Sequence, residues 1–368
     1  MKKIKRKGEP FLRKKGEELS RDIPKVESSC SIHDSCGGCS YLEISYENEL
    51  ILKGQVLAEL WKDNVAFEVP VWEPVVPSPN EFRHRSKLSL QLKRMRDGSV
   101  VLGTSPFGSK EVIPFSRCPV VMEGVETVVP EVLEGLKGRN LEGIKRACIV
   151  IRESQDKKVD WGGLGRGSLN RSVEESQVYS HAGMEVRYDL KGFFQSNLSI
   201  LPKLFEELMN SLGVDEHCTF VDLYGGVGLF SIMVGHKAKS ILMIEENPDS
   251  LEFAHYNREI NTMAKMKILR GRVEDHLETF RAGDGRWVAV IDPPRAGMTS
   301  EVRQTLLEAS QFEKLAYLSC NPETQLRDVK ELCASGKWKV IKLLPFDFFP
   351  KSYHIESLAI LERVENFS

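Results

Sequence analysis

Val221-Asp-Leu-Tyr-Gly225-Gly-Val-Gly228 reads as an apolar strand ending in a glycine turn that leads straight into a helix. Such a turn lets a ligand lie against bare backbone at the carboxyl edge of an open α/β sheet, where these folds bind their ligands. It could serve a dinucleotide or S-adenosylmethionine. The third glycine of the dinucleotide fingerprint is missing, since Ser231 stands there, and this weakens the dinucleotide reading. One strand later, Glu245 offers a carboxylate that can accept hydrogen bonds from a ribose diol; a surface acid opening the next helix is its plainer use.

Working outward, FVDLYGGVG, SILMIEE, WVAVIDPPRAG, LAYLSCNP and SLAILERV are apolar strands separated by helical stretches. That rhythm predicts a mainly parallel, doubly wound α/β sheet of Rossmann type over 189–368. Asp292-Pro-Pro-Arg295 leaves its strand extended, because two prolines restrict the backbone there. A dehydrogenase has no need of that element, whereas a nucleobase methyltransferase uses it to present a polar edge to base and cofactor. Cys320 stands at a strand tip just before Asn321 and Pro322. Most cysteines in apolar strands are small buried hydrophobes, and only the place at the carboxyl end singles this one out. His354 and Glu356 follow an aromatic run directly before the last strand.

Upstream the texture changes. Residues 72–188 alternate in short runs broken by Pro and Gly, which predicts a smaller, mostly β domain. Within it, period-two alternation puts Arg83, Arg85, Lys87, Ser89, Gln91 and Lys93 on one face and Leu88, Leu90 and Leu92 on the other. A basic face over a leucine face suits a phosphate-binding surface, with a plain solvated face as the alternative. The Gly-rich WGGLGRGSL from Trp161 is expected to be a flexible turn. Residues 29–71 carry Cys30-x5-Cys36-x2-Cys39 and a predicted helix from about Tyr46 to Lys62. Residues 1–28 open with eight Lys or Arg against one Glu in the first fifteen positions and are expected to be a mobile basic arm.

The 368 residues allow two domains and an extra element. With 41% hydrophobic and 28% charged residues the chain has the usage of a globular protein, not of a disordered or fibrous one. A net charge of -2 excludes a uniformly basic nucleic-acid binder, so such a partner must be held by local patches. No run approaches the roughly 20 apolar residues of a membrane helix, and the lysine-rich start lacks the apolar centre of a secretory signal, so no membrane partner and a cytoplasmic location are expected. In a reducing compartment eight cysteines point to metal binding and catalysis rather than disulfides. Three clustered cysteines, with Cys118 as a distant fourth, have the spacing of a 4Fe-4S site, with zinc as the alternative. Cys148, Cys218 and Cys333 are expected to be packing residues.

Taken together these motifs resemble the RNA 5-methyluridine methyltransferases of the bacterial tRNA and ribosomal RNA type. Gly192-Phe-Phe-Gln195-Ser-Asn197, the turn 222–228, Glu245 with Ala254 and Asn257, DPPR at 292–295, SCNP-x-T-x-x-RD from Ser319 to Asp328 and the FP-x-x-x-H-x-E ending follow in the family's order. Three departures stand out: Gly225 for a common cysteine, Leu229 for a residue polar in some relatives, and Ser352 for a usual Thr. The resemblance implies that Gln195, Tyr224, Glu245 and Asp292 line an S-adenosylmethionine site, that Cys320 is the nucleophile and Glu356 the base, and that the cluster is structural or helps fold the RNA-binding region. With only 29 residues before Cys30, the chain looks most like the compact ribosomal-RNA branch, with tRNA as the rival substrate and a monomer expected.

The chemistry asks for these residue types. C5 of uracil is a poor carbon nucleophile, so a thiolate must first add at C6, and a base must later take the C5 proton so that the thiolate can leave. Transfer to nitrogen would need neither. The Cys320 and Glu356 pair therefore argues against an amino-group or protein methyltransferase, and against a catalytically silent iron-sulfur RNA binder. The target uridine must be looped out or flipped, because its C5 and C6 are inaccessible in a stacked helix.

Overall fold

The computed structural model describes residues 10–62, 64–65, 67–105, 109, 111–137, 146–163, 176–281 and 285–364. The chain opens with helices α1 (Phe11–Leu19), α2 (His33–Cys36) and α3 (Tyr46–Lys62). The predicted third helix matches at both ends, and its Leu52, Val56, Leu57, Leu60 and Trp61 are buried. The basic arm needs correcting. Its residues 11–19 are helical, with Leu12 and Gly16 buried against the following segment, where a Cβ on Gly16 would collide with Tyr41 Oη. Phe11, Leu12 and Leu19 supply enough apolar surface for docking, which the lysine count concealed. Residues 1–9 lie outside the described ones.

The central part contains β1 (Lys87–Arg94), β2 (Val100–Thr104), β3 (Ile113–Pro114), α4 (Glu123–Thr127), α5 (Val129–Lys137), β4 (Arg146–Glu153) and β5 (Val159–Gly163). Its strands form an antiparallel sheet in the order β3-β2-β1-β4-β5. Leu88, Leu90 and Leu92 pack inward with Val121, Val125 and Val132, as the alternation requires. Trp161 to Gly163 continue β5, while the rest of the glycine-rich run lies outside the described residues. A hairpin of β6 (Gln177–His181) and β7 (Met184–Tyr188) follows, and its Tyr179, Val186 and Tyr188 belong to the core of the C-terminal part.

That part runs α6 (Leu201–Leu212), β8 (Cys218–Leu223), α7 (Leu229–Met233), β9 (Ser240–Glu245), α8 (Pro248–Ile260), β10 (Met266–Arg270), α9 (Leu277–Arg281), β11 (Arg286–Ile291), α10 (Ser300–Glu308), β12 (Phe312–Ser319), α11 (Pro322–Ala334), β13 (Trp338–Phe346) and β14 (Glu356–Arg363). The sheet order is β10-β9-β8-β11-β12-β14-β13, with the first five strands parallel and β14 antiparallel to both neighbours. This is the Rossmann-like methyltransferase fold. Its central strands are apolar along their whole length because helices cover both faces. Pro248 and Pro322 occupy first-turn helix positions, where the missing N–H costs nothing. Both helices therefore start directly at the carboxyl edge of the sheet.

Candidate active site

At that edge lies a cavity of about 1120 Å³ whose wall includes Gln195, Tyr224, Glu245, Asp292, Cys320 and Glu356. The fold thus brings together all six residues singled out for cofactor binding and catalysis, from positions up to 161 apart in the chain (356 minus 195). Five strand ends and one loop deliver them.

The glycine turn is built for close backbone approach. Tyr224 and Gly226 have φ of 66° and 57°, and Gly228 has 86°. Holding a tyrosine in that region costs about 1 kcal/mol or more, which the surrounding bonds offset. Gly226 N–H donates to Glu245 Oε2 at 2.8 Å and Asn247 N–H to Glu245 Oε1 at 2.7 Å, so Glu245 joins the turn to the next strand end. Asp222 accepts from Ser231 N–H and Oγ–H at 2.9 and 2.7 Å, fastening β8 to α7. Ser231, which spoils the dinucleotide fingerprint, therefore has a structural task. Gly225 departs from the family pattern for a steric reason, since a Cβ there would lie 2.5 Å from Met243 Cγ. The Tyr224 hydroxyl is buried without a partner among the described residues, and a Cβ on Gly226 would meet only open space. A cradle with an idle polar atom fits a nucleoside-bearing cofactor.

Beside the turn sit four acidic or thiol groups. Burial pushes Asp222 up to about 7; Asp292 rises to about 7 as well, through burial and then the neighbouring Asp222. Glu356 is held well above the ordinary carboxylate range by burial and by Asp292, while Arg295 opposes the rise. The Cys320 thiol is pushed up to about 11 by burial first and Glu356 second, again opposed by Arg295. Arg295 was inside a quoted motif but was not singled out. Its carbonyl accepts from Asn321 Nδ2–H at 2.9 Å and Thr324 Oγ1–H at 3.2 Å, tying the two strand-end loops together.

Two members of the basic face are already engaged, which corrects the phosphate-binding reading at those positions. Lys87 Nζ donates to the carbonyls of Lys191 and Gly192 at 2.6 and 3.1 Å, and the fully buried Arg152 donates to those of Asp189 and Gly192. These opposite residues of β1 and β4 position the loop that presents Phe193 and Gln195 to the cavity. Arg83 instead binds Glu126 at 2.9 Å and the carbonyl of Cys118 at 3.2 Å, and Glu126 accepts Cys118 N–H at 2.8 Å. Period-two alternation locates a face but says nothing of loops that fold over it. Arg85 stays exposed although its Nε donates to the Lys87 carbonyl at 3.0 Å, and Lys93 is half-buried.

The cysteines of the N-terminal segment gather with Cys118 away from the cavity wall. Cys39 is pushed up to about 12, by burial and then by Cys118, Cys36 and Cys30 around it. No three of these sulfurs lie mutually within 4.8 Å among the described residues; the group of possible ligands that does is His33, Asp34 and Glu43. Cys218 and Cys333 are buried packing residues and Cys148 is half-buried. Directly after Cys39, the N–H groups of Ser40 and Tyr41 donate to the Lys351 carbonyl at 2.8 and 3.1 Å. Lys351 is itself buried in a left-handed conformation (φ 67°), with its N–H on Glu49 and its Nζ 2.6 Å from Glu81. Lys53 reaches Asp347 and the Phe349 carbonyl at 2.7 and 3.1 Å. The loop leading to Glu356 is thus seated on the cysteine segment, a link that nothing in the local sequence announced.

Comparison with known proteins agrees with this geometry. A tRNA (uracil-5-)-methyltransferase from Schizosaccharomyces pombe, described as acting at uracil 54, is 28% identical over 361 residues, covering 94% of this chain and 67% of that protein. A 23S rRNA (uracil(1939)-C(5))-methyltransferase from Vibrio parahaemolyticus is 25% identical over 372 residues, covering 92% and 82%. The crystal structure of Pyrococcus abyssi tRNA (uracil-54, C5)-methyltransferase in complex with S-adenosyl-L-homocysteine shares the fold, with a TM-score of 0.66 at 22% identity over 88% of this chain and 85% of that one. The family model for tRNA (uracil-5-)-methyltransferases matches residues 168–364, which is more than half of the chain and holds all six residues of the cavity set, so this protein is an enzyme of that family.

Proposed function

We propose that this enzyme methylates C5 of a uridine in RNA through a covalent adduct with Cys320. The observation that carries the reading is the meeting of a strand-end thiol and a buried carboxyl in the cavity formed by the glycine turn. S-adenosylmethionine, when bound against Tyr224, Glu245, Gln195 and Asp292, supplies the methyl group. The Cys320 thiolate adds to C6 of the uracil, and the displaced electron pair makes C5 nucleophilic. After methylation Glu356 takes the C5 proton, the C5–C6 double bond re-forms and the thiolate leaves. The raised Glu356 suits it to receive that proton. Arg295 stabilises the thiolate before attack.

Cys30, Cys36, Cys39 and Cys118 would hold a 4Fe-4S cluster that shapes the RNA-binding region, since four converging thiols are the donor set such a cluster takes. The central β domain, with Arg85 and Lys93, would bind the RNA backbone. The substrate is RNA, with ribosomal RNA proposed first and transfer RNA as its rival, since the relatives' names include both. RNA carrying 5-fluorouridine at the target is the direct test of the chemistry. It is expected to form a methylated adduct that survives denaturing electrophoresis and is absent in Cys320→Ala, and methyl transfer persisting in that variant would refute the mechanism. Mass mapping of methyluridines in ribosomal and transfer RNA from a deletion strain identifies the substrate.

A further inference from the structure

We propose that Gln325 is a positioning residue that holds nucleophile and base in one frame, an inference resting on the roles proposed for Cys320 and Glu356. Gln325 lies in the first turns of α11 and is fully buried. Its Nε2 donates to the carbonyl of Tyr317 at 2.7 Å and to that of Ser357 at 2.9 Å, so one amide spans β12 and β14. Its Oε1 accepts Ser357 Oγ–H at 2.7 Å, and the same hydroxyl lies 3.3 Å from the Ser319 carbonyl. That carbonyl belongs to the peptide joining Ser319 to Cys320, and Ser357 directly follows Glu356. The residues flanking both reacting side chains therefore share one hydrogen-bonded ring.

The ring sits where the sheet itself stops helping. Ser319 and Ser357 form the last pair between β12 and β14, and Cys320 lies beyond it without a ladder partner. The atoms that face the Gln325 amide are the Tyr317 and Ser357 carbonyls and the Ser357 hydroxyl, so a hydrocarbon of the same size would fill the space without holding them. A buried amide is costly unless satisfied, and here it is bonded through both its ends. What the amide adds over a hydrocarbon is direction, and misplacement by about 1 Å near a reacting centre can cost on the order of 100-fold in rate.

The test uses Gln325→Met, close to isosteric and unable to make the bonds, with Ser357→Ala as the milder variant. With the full-length enzyme and substrate RNA, kcat is expected to fall on the order of 10- to 100-fold. RNA KM and cofactor Kd should stay within about twofold. Methylated covalent adduct should accumulate because proton removal lags, and alkylation of Cys320, followed by peptide mass mapping, should shift its pH midpoint. A folded Gln325→Met with unchanged kcat overturns the proposal, as does a parallel loss of kcat and cofactor affinity. If Gln325→Met melts prematurely, Ser357→Ala decides by the same criteria. Cys320→Ala, run alongside, separates the two ideas: methylation persisting there removes the catalytic roles themselves, whereas an inactive Cys320→Ala beside a fully active Gln325→Met removes only the positioning role.

Discussion

Cys320 and Glu356 each stand one residue beyond the Ser319–Ser357 pair that closes the ladder between β12 and β14, and both reach the same cavity. Adjacent strand ends bring the two groups within one site, where the Glu356 carboxyl helps keep the proton on the thiol. The Glu356 carboxyl is the largest influence on the thiol after burial, and Arg295 is the one positive group acting on both.

A pH dependence follows. Cys320 and Glu356 are both shifted upward, both must lose a proton to act, and so kcat/KM should rise with pH from neutral into the alkaline range. Arg295 favours both charged forms. Replacing it with Met should move the rising limb to higher pH and lower the rate at neutral pH by about tenfold or more, since one pKa unit is a tenfold change in the active fraction. A pH–rate profile of methyl transfer checks this, and an unmoved limb would leave Arg295 with only its loop-tying contacts.

Glu356→Gln should stall after methyl transfer, because an amide cannot take the C5 proton. Adduct on ordinary uridine should then be visible on denaturing gels and should need S-adenosylmethionine to form. Turnover at the normal rate would assign the base elsewhere.

For the cysteine site, anaerobically purified protein should be brown and should lose iron in Cys30→Ser, Cys36→Ser, Cys39→Ser or Cys118→Ser. Arg83→Ala should also lower iron content, since Arg83 and Glu126 together hold the Cys118 loop. Stoichiometric zinc without iron would overturn this assignment.

RNA binding separates the more exposed cations from those held by carboxylates and carbonyls of the fold. Arg85→Ala combined with Lys93→Ala should flatten the salt dependence of RNA affinity by about 0.7 to 0.9 per lost phosphate contact in the log–log slope. Arg83→Ala should leave the slope as it is. The reverse pattern in a binding titration would restore the simple face reading.

Stability should also respond to the buried Asp222. Its folded value, about 7, lies above the ordinary 3.8, so the folded state holds a proton that the unfolded chain releases. Stability from this group is present below about pH 4 and is lost as pH rises through about 7. Asp222→Asn keeps an acceptor for Ser231 and removes the charge, so it should raise the melting temperature by a few degrees at pH 8 and by less at pH 5. Melting scans at the two pH values decide it.

The sequence by itself determined the fold class and the strand-end motifs, because each is written locally, and the order of those motifs named the six cavity residues through the family resemblance. A glycine turn, two prolines after a strand and a cysteine before Asn-Pro keep their meaning within ten residues, and strand periodicity places them at one sheet edge. Only the tertiary structure decided how the remaining polar groups were used. Lys351 meets Glu49 across 302 positions and Lys53 meets Asp347 across 294, separations over which no local pattern carries information. For the same reason Arg83 and Lys87 looked free on an alternating face, Gln325 looked like any polar residue of a helix, and α1 looked like an arm. A side chain's partner depends on what the folded chain brings against it, and that is set by packing between segments distant in sequence.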